Sequence, residues 1–122
     1  MWRLILCAAG LVVISGCSNS ASVYAERAKL RAQAKDEIVR MNGSHAFDEE
    51  ARNYVIECLG SSEFSVRARA APVVERGLAL HLVSYDYARS TFAAALRAHP
   101  EDRIFWNAAL AHAARLEHGS TR

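Results

Sequence analysis

An all-α domain is predicted by three features of this 122-residue chain. Apolar residues recur every three or four positions in several separate stretches, the spacing that lines one face of a helix. No stretch alternates apolar and polar residues for long enough to make a strand. Between the periodic stretches fall Asn42-Gly43, Gly60-Ser61-Ser62, Ser84 and Pro100, residue types that stop and start helices.

The chain opens with a different organisation. Met1-Trp2-Arg3 gives a short positive start, Leu4 to Ile14 an apolar run, and Ser15-Gly16 sets small residues directly before Cys17, which is the pattern of a secretory signal. The apolar run falls well short of the ~20 residues a membrane-crossing helix needs. Ile14-Ser15-Gly16-Cys17 resembles the lipobox of bacterial lipoproteins. The resemblance implies removal of residues 1–16 and lipid on Cys17; more than one acyl chain makes such an anchor lasting. Ser18 stands where Asp would signal retention in the inner membrane, so the resemblance points to the periplasmic face of the outer membrane. A signal cut near Ser20-Ala21 by the ordinary peptidase, or an uncleaved segment, would be the alternatives.

Removing the first 16 of 122 residues leaves 106, enough for one small domain. The expected organisation is a signal over 1–16, a lipidated cysteine and polar tether over 17–22, and one helical domain over 23–118. The whole chain has 15 basic against 13 acidic side chains, and loss of Arg3 leaves 14 against 13. That balance gives no reason to expect nucleic acid as a partner. Cys7 would leave with the signal and Cys17 would carry lipid, so Cys58 stands alone. No intramolecular disulfide is then possible, and Cys58 is expected as a small buried hydrophobe.

Val23 to Met41 carries apolar residues at 23, 24, 30, 34, 38 and 41, and Asn42-Gly43 is expected to end that helix by a left-handed cap. Phe47, Ala51, Tyr54, Val55, Cys58 and Leu59 follow at offsets 0, 4, 7, 8, 11 and 12, with Asp48-Glu49-Glu50 where a helix dipole favours acid. From Glu63 onward Pro72 divides the chain, predicting a short helix to about Ala70 and another over Pro72 to Val83. Ser84-Tyr85-Asp86 is expected as a turn. Tyr87 to His99 and Arg103 to Glu117 complete the set, divided by Pro100-Glu101-Asp102.

Ala88, Phe92, Ala95 and Pro100, followed by Trp106 and Leu116, resemble the small, aromatic, small, proline spacing of tetratricopeptide repeats. Small residues let antiparallel helices approach, and the aromatic fills the space beside them. Leu110, Pro72 and the uneven spacing depart from that family, so the fold expectation is antiparallel tetratricopeptide-like hairpins or a small four- to five-helix bundle.

Chemistry is sparse. His45, His81, His99, His112 and His118 form no zinc-binding spacing, and the chain has no phosphate-cradling loop. Neither an enzyme nor a cofactor is expected. The resemblances imply a protein-binding adaptor in assembly of a pilus- or secretion-type envelope complex, akin to pilotins and repeat-containing lipoproteins. In tetratricopeptide families the first helix of each pair lines the concave surface, which would place Arg76, Leu80, His81, Asn107 and His112 against the partner protein. A lipoprotein that neutralises a toxin or excludes a competitor is the alternative reading, and a second copy of the chain is a further possible partner.

Overall fold

The computed structural model describes residues 25–120, apart from the side chain of Ser120. The signal, Cys17 and the tether lie outside the described residues. Within them the protein is all-α: there is no strand, and no helix long and apolar enough to cross a membrane.

The first helix among the described residues, α1, covers 25–33 of them. Ala34 follows with φ −95° and ψ 11°, after which α2 covers Lys35–Ser44. Backbone hydrogen bonds still bridge the junction, from Ala34 N–H to the Leu30 carbonyl and from Ile38 N–H to the Ala34 carbonyl. Gly43 is not the stop expected of it. It lies inside α2, and the left-handed residue is His45 at φ 53°, whose N–H bonds the Met41 carbonyl.

Asp48 caps α3, Glu49–Leu59, by accepting a hydrogen bond from Ala51 N–H. Phe47 stands just before the cap and is buried. Arg52, four residues into the helix, lays its guanidinium 5.8 Å from the Phe47 ring centre. This is the hydrophobic-staple position filled by a cation over an aromatic ring.

A single-turn helix α4, Phe64–Arg67, leads into α5, Ala70–Ala79. Pro72 sits in the first turn of α5, where its missing N–H costs nothing. The helix stops four residues earlier than Val83. His81 takes the left-handed conformation at φ 60°, Leu82 N–H bonds the Gly77 carbonyl at 2.7 Å, and His81 N–H bonds the Leu78 carbonyl at 3.1 Å. The pair of bonds makes a Schellman stop with histidine in the usual glycine place.

Ser84 caps α6, Tyr85–Ala98, accepting from Tyr87 N–H, so the expected turn at Ser84-Tyr85-Asp86 is the helix entry instead. A 3-10 turn at Pro100–Asp102 passes directly into α7, Arg103–Ser120.

The architecture centres on α5. Only Arg76 and Ala79 among its residues escape burial, because α2, α3, α6 and α7 all pack around it. A helix apolar nearly all round is stable only when enclosed in this way. Gly77 permits the closest approach: a Cβ there would stand 3.0 Å from Phe47 Cδ2 and 3.4 Å from Val83 Cγ2. On the other side, Phe92 of α6 meets Trp106 of α7 at 5.8 Å between ring centres, and Phe105 stands edge-on to Trp106 at 4.8 Å. Ala88, Ala95, Ala109 and Ala113 fill the seam between those two helices.

Long-range polar contacts join like ends of helices. Arg76 Nε donates to Asn42 Oδ1 at 3.1 Å, tying the last turns of α2 and α5. Arg67 Nη2 donates to Asp102 Oδ2 at 2.8 Å, tying the entries of α5 and α7. The Arg52 guanidinium lies 5.5 Å from the Tyr87 ring centre, tying the first turns of α3 and α6. With short connections between consecutive helices, this is the pattern of helical hairpins set side by side in the same sense.

Candidate partner-binding faces

Two faces carry features beyond ordinary packing. The first lies where α1 meets α5 and α7. Glu75 is a carboxylate in the otherwise apolar body of α5, only 8% exposed. Arg27 of α1 reaches it with Nη1 donating to both oxygens, at 2.8 and 2.9 Å. Burial raises the Glu75 pKa above the usual carboxylate value, and the charges of Arg27, Arg31 and Arg115 oppose that rise. His112 of α7 belongs to the same neighbourhood. Desolvation lowers its pKa, and the same three arginines push it further down. The charges of three guanidinium groups therefore act on one carboxylate and one imidazole.

The second face is an open furrow between α3 and α6, with a volume of about 390 Å³. Val55, Ile56 and Leu59 form one wall and Tyr87, Thr91 and Ala94 the other, with Arg52 and Ser90 at the rim. Ile56 is 66% exposed, although its size and apolarity favour burial. At one end Arg52 and Tyr87 of the lining meet Phe47: the two rings stand 5.5 Å apart, edge to face, with the guanidinium over both.

The five residues expected at a partner surface are distributed unevenly. Arg76 is exposed on α5 and engaged with Asn42. Leu80 is the half-buried cap of α5, and His81 is the exposed left-handed residue after it, with a backbone role in stopping the helix. Asn107 is exposed on α7, and His112 is half-buried one and a half turns further on. His112 Nδ1 lies 3.5 Å from Arg115 Nη2. No hydrogen bond joins any two of the five among the described residues.

Glu75 and Arg27 are the functional candidates that periodicity alone overlooks. A visible signal was present, since an acid between Val74 and Arg76 interrupts an apolar helix that must be enclosed. Its partner lies 48 residues away, and such pairings leave no local trace.

Cys58 is buried in the core, and burial raises its thiol pKa. The phenol of Tyr54, one turn earlier, is pushed up to about 12, chiefly by burial and then by Cys58. A thiol held protonated in this way is a poor nucleophile. Among the described residues, His99, Glu101 and Asp102 bring ligand atoms within 4.8 Å of one another. Arg67 already occupies that corner, bonding Asp102 and standing 4.0 Å from Glu101, while His99 Nδ1 lies 3.1 Å from Glu101 Oε2. A resident guanidinium supplies the positive charge a metal ion would otherwise bring.

No family model, no curated protein and no solved structure matches this chain. The reading of its faces therefore stands on their own chemistry.

Proposed function

We propose that this protein is a non-catalytic lipoprotein, held through Cys17 at the periplasmic face of the outer membrane, whose helical domain binds a partner protein during assembly of an envelope complex of pilus or secretion type. The opening signal and the lipobox-like Ile14-Ser15-Gly16-Cys17 supply the anchor and the compartment. The binding role is carried by the furrow between α3 and α6, an uncovered apolar surface with Ile56 standing out of it and a cation at its rim. Apolar surface left open beside polar rim residues is characteristic of protein-binding sites. An amphipathic helix of the partner is the occupant such a furrow fits. The side-by-side hairpins, with like ends tied, agree with a tetratricopeptide-like arrangement, which suits the same role.

A photo-crosslinking amino acid at Ile56, in cells, tests the reading against a control at Val39, an exposed aliphatic on α2. Capture of an assembly subunit from Ile56 alone, with the protein in the outer-membrane fraction and Cys17→Ser released from it, is the expected result. A crosslink to a toxin would replace the adaptor role with a protective one. Equal, scattered products from both positions, or Cys17→Ser fractionating like the native protein, would overturn the proposal.

A further inference from the structure

We infer that α1 is a displaceable strap over the α5–α7 face, and that this face accepts a basic amphipathic helix from a partner through the contacts α1 now makes, an arginine on Glu75 and a leucine one turn on. The inference rests on the adaptor reading for its purpose, though its physical basis is independent of the α3–α6 furrow.

The resident helix defines the chemistry. Glu75 is buried within α5, and Arg27 is the residue that hydrogen-bonds its carboxylate among the described residues. An ionised group at that depth needs such a partner, so any helix that takes the place of α1 must bring a cation to the same point. Leu30 is buried three residues after Arg27, and Ala34 a further turn along. Arginine, leucine and alanine at 27, 30 and 34 thus share one helical face. Arg115 of α7 adds positive charge near the carboxylate and stays in place when α1, with its Arg27 and Arg31, departs.

The hold on α1 is light. Across 25–33 only Leu30 is fully buried; Ala25, Ala28, Lys29, Arg31, Ala32 and Gln33 are exposed. Ala34, at φ −95° and ψ 11°, marks the boundary between the strap and α2, and opening there breaks the hydrogen bond from its N–H to the Leu30 carbonyl. Beyond that boundary α2 is fastened separately, by buried Met41 and by Asn42 to Arg76. A segment whose described residues hold one fully buried side chain and one ion pair across the fold belongs at the low-stability end of the domain, and a buried ion pair is weak reason to think it fixed. In the adaptor reading the anchor and its tether precede α1 in the chain, so release of the strap would let the domain stand further from the membrane.

Hydrogen exchange on the purified full-length protein in detergent tests this directly. In Glu75→Gln, exchange across 28–34 should rise at least tenfold while α3, α6 and α7 keep their protection; Arg27→Gln should do the same without touching the enclosed helix. An isotope-labelled synthetic peptide with the sequence of residues 25–38 should bind the native protein, raise exchange in the chain's own 28–34, and lose both effects when its own Arg27 is Glu. Unchanged exchange in both variants would overturn the strap. Opening of α1 without any binding of the peptide would overturn the docking role of the face. Displacement by the peptide in a protein that crosslinks to nothing at Ile56 supports this inference and counts against the adaptor reading alone.

Discussion

Arg67 and Asp102 stand 2.8 Å apart with both side chains almost wholly enclosed, so the chain just before α5 is pinned to the chain just before α7. Arg67 also donates through Nη1 to the Ser61 carbonyl at 3.0 Å. One guanidinium thereby fixes the α3–α4 connection, the entry of α5 and the 3-10 turn.

Removing one partner leaves the other buried and uncompensated, which costs about 3–5 kcal/mol. Arg67→Met and Asp102→Leu should each lose roughly that much in urea melts. The double variant should lose clearly less than their sum, since no orphan charge remains. Additive losses would mean the two groups act separately.

His81 and Gly43 have exchanged the roles their residue types suggest. A residue with a Cβ in the left-handed region costs about 1–2 kcal/mol, so His81→Gly should raise stability by roughly 1 kcal/mol. Gly43 is helical with nothing within 4 Å of a built Cβ, and Gly43→Ala should likewise gain up to about 1 kcal/mol through helix propensity. If thermal midpoints fall in either variant, these backbone assignments are wrong.

Gly77→Ala should behave in the opposite way although the same propensity gain applies. The added methyl meets the Phe47 ring at 3.0 Å, and overpacking of this kind costs about 1–3 kcal/mol. A net loss of roughly 1 kcal/mol is expected, with Phe47→Leu in the same background recovering part of it.

Acid should expose the contribution of Asp48. Hydrogen bonds from Arg40 and from the Ala51 backbone hold its pKa down to about 2, against an ordinary 3.8. A carboxylate with a depressed pKa adds stability that is complete above the unfolded value and disappears as pH falls through the folded one. The native protein should therefore lose stability between about pH 4 and pH 2. Asp48→Asn, which can still cap α3, should show a shallower loss across that window in denaturant titrations; parallel profiles would refute the assignment.

The helical class and most of the core were legible because burial is periodic and local. Ala51, Val55, Cys58, Ala88, Phe92, Ala95, Trp106, Ala109 and Ala113 all fall on the stripes that predict them, and all are buried. Helix ends were less legible. Both left-handed stops use histidine, and nothing in the local pattern separates His81 from an ordinary surface histidine. Partner assignments across the fold were the least legible. Glu75 announces a need for a cation, but five basic residues precede Asp48 within the described chain, and only packing selects Arg27. Arg52 and Ile56 read as plain surface until α6 comes alongside and turns them into a rim and a wall.

Enclosure of α5 on every side has a consequence for how the gene can be cut. The helix sits mid-chain and touches neighbours encoded both before and after it, so a fragment ending at α5 and a fragment beginning there would each present its valines and alanines to water. As the chain is made from its N-terminus, α5 precedes two of its four covering helices and stays without its final cover until the eighteen residues of α7 follow.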